Sequence, residues 1–122
     1  MIKQSLILAF LMVQLTSTGC VSTSTLYHWG SYERLLYSMY SEPGSADATT
    51  QIQALTTDIQ KAHDMGKKVA PGIHAHLGMM YASQGKVEQA LAAFNMEKVL
   101  YPESLVLIEG MMMRAGMFEG FK

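Results

Sequence analysis

Small, aromatic and helix-breaking residues fall at fixed intervals in the second half of the chain: Leu77-Gly78, Tyr81, Gly85, Ala90, Phe94 and Pro102. This series constrains the fold more than any other feature, because it calls for two helices in close antiparallel contact. Gly78 lets the first helix approach its partner, while Tyr81 and Phe94 fill the gap between them. Ala90 suits the crossing point, Gly85 makes the turn, and Pro102 ends the unit because its ring cannot continue a helix.

The preceding segments also have helical periods. Trp29, Tyr32, Leu36, Met39 and Tyr40 recur at three- and four-residue steps, which predicts a first helix from Ser31 to Ser41. Pro43-Gly44 breaks it, and Ser45 is positioned to cap a second helix with Asp47 in its first turn. Ile52, Leu55, Ile59 and Ala62 form the apolar stripe of that helix, and Gly66 stops it. Leu105 to Ala115 supplies a last helical run. No alternating segment is bounded by hairpin turns, so the expectation is an all-α fold of about five helices.

With Pro71 as its first position, the spaced series resembles a tetratricopeptide repeat covering residues 71–104. His74 stands where the repeat favours Trp, and Glu97-Lys98 replace a small and apolar pair, so the end of the fourth helix is expected to pack differently. One such unit cannot bury its own apolar faces. Helices one and two are therefore expected to form a degenerate unit before it, and the last helix to stack after it, as tetratricopeptide-like stacked helical hairpins. The resemblance also makes Gly72, Ala75, Met79, Ala82 and Ser83 the inward positions of helix three, a groove with room for a partner's helix or extended segment. The last helix is apolar on nearly all sides, with Glu109 and Arg114 its only charges. Either the tail residues Met117, Phe118 and Phe121 cover it, or another protein does.

The amino terminus has a different order. Lys3 is followed by the apolar run Leu6–Val13, then by Ser17-Thr18-Gly19 and the single cysteine, Cys20. An apolar run this short cannot cross a bilayer as a helix of about 20 residues would, and the order is that of an export signal. It resembles a bacterial lipobox, with Ser17 where Leu is usual. The resemblance implies removal of residues 1–19 and a diacylglycerol and N-acyl chain on Cys20, the only covalent group expected and no other cofactor. Residues 20–30 then form a lipidated tether and 31–122 the helical domain. Val21 stands where Asp would signal inner-membrane retention, which points to the periplasmic face of the outer membrane. With one cysteine there is no internal disulfide.

Net charge is -1, and Lys67-Lys68 is the only adjacent basic pair, so the sequence lacks the basic stripe of a nucleic-acid binder. No Ser-His-Asp order, nucleophile elbow, phosphate loop or metal-spaced carboxylate set is present, and a lipidated Cys20 has no free thiol; no enzyme is expected. Asp58, Asp64, Glu97 and Glu103 read as solvated helix charges. His74, His76, Met79 and Met80, in a chain of eleven methionines, suggest an alternative role in periplasmic copper binding. His74 and His76 are two apart on a helix, which points them away from each other. Trp29, with Tyr32 and Glu33, either anchors the start of helix one or presents an aromatic contact site near the lipid.

The lipobox, the Y-x-W-G-x-Y-E segment at Tyr27–Glu33 and the repeat ending in Tyr101-Pro102-Glu103-Ser104 together resemble a family of small, uncharacterised proteobacterial outer-membrane lipoproteins, a domain of unknown function. Members are typically encoded beside a lipoprotein resembling the curli secretion channel. The resemblance implies a helical protein–protein adaptor in an envelope secretion or surface-assembly complex, with that channel-like lipoprotein as a partner.

Overall fold

The structure is a computed structural model and describes residues 25–117. Residues 1–19, Cys20, Phe118 and Phe121 lie outside that range. Five α-helices follow one another: α1 (Tyr32–Ser41), α2 (Ala48–Asp64), α3 (Ile73–Ser83), α4 (Val87–Leu100) and, after a 3₁₀ turn at Pro102–Ser104, α5 (Leu105–Arg114). Two short strands, β1 (Tyr27–His28) and β2 (Lys68–Val69), pair in parallel, with Tyr27 opposite Lys68 and His28 opposite Val69. Among the described residues the fold is all-α apart from this pair. The strands are too short to show an alternating pattern, and the pairing joins segments far apart in sequence, so nothing local announces it. The folded part therefore begins inside the segment read as tether.

Helix α1 occupies almost the expected interval, and the break at Pro43-Gly44 is real, with Gly44 at φ 88°. The cap of α2 is Asp47 and not Ser45: the Asp47 carboxylate accepts from the Thr50 N–H at 2.9 Å. Hydrogen bonds from Thr50 also hold that carboxyl below its usual pKa. Gly66, at φ 61°, ends the helix as expected, and the Lys67 N–H closes back on the Ala62 carbonyl at 2.9 Å.

Packing is densest between α3 and α4 and next densest between α2 and α3, while α1 rests more lightly on α2. Helix α3 is the central element, and every residue from Ile73 to Gly78 is buried. On one side of it Leu55, Ala62, Val69, Ile73 and Leu77 form a core with Tyr32 and Leu35. On the other, Ala75, Ala90 and Phe94 pack with Ile108 and Met112 of α5. Tyr81 touches both cores, and Met117 packs against the second.

The closeness of α3 and α4 rests on Gly78. A Cβ there would lie 2.6 Å from a ring carbon of Phe94, itself only 1% exposed. Gly85 turns the chain at φ 70°, and Ala90 is fully buried as the spacing requires. Tyr101 follows α4 and donates its hydroxyl to the Val69 carbonyl, which ties the end of the second hairpin to β2. Burial pushes the Tyr101 phenol up to about 12, so it stays a donor at every physiological pH.

Gly78→Ala is expected to lower stability by about 1–3 kcal/mol, the usual cost of overpacking, because the Phe94 ring must shift to clear the added methyl group. Urea unfolding measures the difference, and a loss under about 0.5 kcal/mol would mean that the two helices can separate freely.

Candidate functional site

Two acidic residues that read as surface charges are buried. Glu97 on α4 is 2% exposed, and its carboxylate accepts the Gly72 N–H at 2.7 Å and the Ala75 N–H at 3.3 Å. It thereby caps the start of α3, where Gly72, at φ 89°, has no side chain to do so. Asp58 on α2 accepts the Ser31 N–H at 2.8 Å and the Ser31 hydroxyl at 2.6 Å, capping the start of α1. Gly30 is needed there because a Cβ would collide with the Asp58 carboxylate. Each hairpin thus has the same device: the second helix supplies a carboxylate to the positive end of the first. Glu97-Lys98 does depart from the repeat pattern with a change in packing, and this is its physical form.

The expected groove is divided by that packing. Gly72 is held by Glu97 through its N–H and accepts the Tyr32 hydroxyl at 3.2 Å through its carbonyl. Ala75 is buried under α5 by Ile108 and Met112. Ala75 is thereby closed to a partner, while Gly72 is half-buried with both of its backbone polar groups engaged. Met79, Ala82 and Ser83 remain accessible. Met79 and Ala82 line a cavity of about 270 Å³ with Phe94, Met111, Arg114 and Ala115, between the far end of α3 and α5.

The aromatic cluster also separates. Tyr32 is buried, with its hydroxyl spent on Gly72, and so it is a core residue rather than a contact residue. Burial first, then the nearby charge of Glu97, raises its pKa. Trp29 is 39% exposed, stacks on Tyr32 at 6.5 Å between ring centroids and meets Tyr27 edge-on at 6.4 Å. Glu33 is exposed on the first turn of α1.

His74 and His76 both lie in the core. The Gln51 amide donates to the Ala46 carbonyl at 2.8 Å, which leaves its Oε1 to accept from His76 Nε2 at 2.8 Å. His76 Nδ1 is then buried without a partner. The metal reading loses His76, whose Nε2 is occupied in the interior while Met79 is at the surface. Among the described residues no group of three or more His, Cys, Asp or Glu side chains could hold a metal ion, and no helix is long and apolar enough to cross a membrane.

His28, Ser31, Arg34, Thr57, Asp58 and Lys61 line a polar cleft of about 410 Å³ between the start of α1 and one face of α2. Arg34 and Lys61 are ordinary exposed charges in the sequence, and only the crossing of α1 over α2 brings them to one place.

A family model described as a domain of unknown function (DUF4810) matches residues 26–111, from the edge of β1 into α5, and the chain belongs to that family. No curated protein and no solved structure matches it.

Glu97→Ala leaves two N–H groups at the start of α3 without an acceptor, and an expected loss of about 2–4 kcal/mol follows from the burial of those donors. Glu97→Gln keeps one acceptor oxygen and should recover part of it in the same unfolding assay. Burial lowers the pKa of His76, and burial together with His63 lowers that of His74. The unfolded chain takes up these protons near pH 6.5, as a free imidazole does, while the folded chain refuses them. Stability is therefore full above that pH and declines as pH falls below it, by up to about 1.4 kcal/mol per unit for each histidine. Urea midpoints from pH 7.5 to 5 should show this slope, reduced in His76→Gln; an unchanged slope would remove His76 as a source.

Proposed function

We propose that this DUF4810 member is a lipid-anchored helical adaptor that stands on the periplasmic face of the outer membrane and binds another envelope protein. The observation that carries the reading is the outer surface of α4 and α5. Val99 is 75%, Val106 81% and Leu107 59% exposed, and Met96, Leu100 and Leu105 are also open to water. Apolar side chains grouped at this density on a small domain mark a surface that another protein covers. Ile108 and Met112 turn inward from the same helix, so α5 has an apolar side for its own core and a second one left over. The cavity beside Met79 opens next to α5 and extends the surface with space for an inserted side chain.

Anchorage is supported by the order of Lys3, Leu6–Val13 and Cys20, and Val21 favours the outer membrane. A diacylglycerol plus an N-acyl chain binds a bilayer firmly, whereas a single chain binds only marginally. The partner we favour is the channel-like lipoprotein that family resemblance places beside such chains, in a secretion or surface-assembly complex. The role is contact and not conversion.

Two measurements test the reading. Labelled palmitate should mark the chain and fail to mark Cys20→Ala. A photo-crosslinker at Val106 should capture one envelope lipoprotein, a crosslinker at exposed Thr56 on α2 should not, and Leu107→Asp should abolish capture. An unlabelled chain removes the anchor, and equal capture at both positions removes the docking surface.

A further inference from the structure

We infer that the face where β1 pairs with β2 lies on the bilayer as a docking surface for anionic phospholipid headgroups. The inference rests on the acyl anchor proposed for Cys20. Only Val21, Ser22, Thr23 and Ser24 separate Cys20 from Thr25, where the described residues begin. Five residue steps reach at most about 18 Å when fully extended, so whatever adjoins Thr25 is held within that distance of the lipid. What adjoins it is the end of α2. The Lys67 ammonium donates to the Thr25 hydroxyl at 3.4 Å, and the Lys68 N–H to the Leu26 carbonyl at 3.4 Å. Lys68 then pairs opposite Tyr27, which fixes Lys67-Lys68 beside the incoming chain.

The residues gathered there have the chemistry of a bilayer interface. Leu26 is 61% exposed, and Met65, two residues before Lys67, is 49% exposed. Trp29, in the same entry segment, is also open to water, and tryptophan favours the headgroup layer. Lys67-Lys68 is the only adjacent basic pair in the chain. From Lys61 to Lys68 three lysines accompany one carboxylate, Asp64, which the Gln60 amide already engages at 2.8 Å. Lysine stems lie along apolar surface while their ammonium groups stay among headgroups, so the basic pair and the two apolar side chains serve one surface. A protein partner has no obligation to sit here, whereas lipid carrying the acyl chains of Cys20 is always within reach. Attachment is supplied by those chains; the basic and apolar face adds orientation, and so sets the direction in which the surface of α4 and α5 is offered.

The test uses the chain purified from membranes and reconstituted into vesicles of phosphatidylcholine, alone or in equal parts with phosphatidylglycerol. A photo-crosslinker replaces Leu26, or, as the control, exposed Tyr40 at the closed end of the α1–α2 hairpin, about 25 Å away along α2. Mass spectrometry reads captured phospholipid and, separately, the acyl groups on Cys20. Phospholipid is expected on the Leu26 probe and not on the Tyr40 probe, with more captured from the mixed vesicles. Lys67→Gln and Lys68→Gln should each lower capture from mixed vesicles about fivefold, the effect of one lysine near an anionic surface, and leave capture from phosphatidylcholine unchanged. Neither lysine is buried, so both variants should keep the wild-type urea midpoint. Equal capture at the two positions, capture indifferent to phosphatidylglycerol and to both lysines, or no capture on an acylated chain would overturn the docking face and leave the anchor standing. A chain without acyl groups on Cys20 would overturn both.

Discussion

The fold depends on a carboxylate held inside it. Glu97 sits on α4, yet its hydrogen bonds fix where α3 begins, since Gly72 and Ala75 present their N–H groups to it. A charge-assisted bond of this kind is worth roughly 1.5–3 kcal/mol, about twice a neutral one. Its value here is also geometric. Gly72, in the left-handed region, turns its N–H toward the partner helix, and its carbonyl is left to receive Tyr32 from α1. A single residue thus joins α1, α3 and α4. Asp58 repeats the arrangement between α2 and the start of α1, which marks the two hairpins as variations on one unit.

From this follows how the apolar surface is shared. With α3 fixed at its start, both of its flanks are enclosed: Leu55 and Ile73 meet on one, and Phe94 and Ile108 on the other. Helix α5 completes the second core with Ile108 and Met112 and keeps the rest of its apolar residues outside. The capping helix of a stacked array normally ends in a polar face. This one presents Val106 and Leu107 to water, and the proposed docking rests on that exposure.

The second hairpin was legible almost residue by residue, because a glycine opposite a phenylalanine is a steric requirement that sequence spacing records directly. Gly78, Gly85, Ala90, Phe94 and Pro102 all sit where their intervals place them. The caps were not legible. An acidic residue on a helix looks the same whether it meets water or a buried N–H, and only tertiary contact distinguished Asp58 and Glu97 from exposed Asp64 and Glu103. The groove was half legible for a related reason: repeat spacing gave the inward face of α3, but not that α5 would lie across Ala75. Met79 and Ala82 escape that cover because they lie a turn further on. The polar cleft depends on side chains from α1 and α2 that share no pattern, so no local signal could have found it.

The parallel pairing of Tyr27–His28 with Lys68–Val69 settles where mechanical load enters the molecule. Lys68–Val69 lies between the two hairpins, and Tyr101 grips the Val69 carbonyl from the far one. Tension applied at Thr25 would run as shear along that pair and divide between both halves, instead of peeling α1 away from one end. Whatever tugs on the amino terminus holds the protein by its waist.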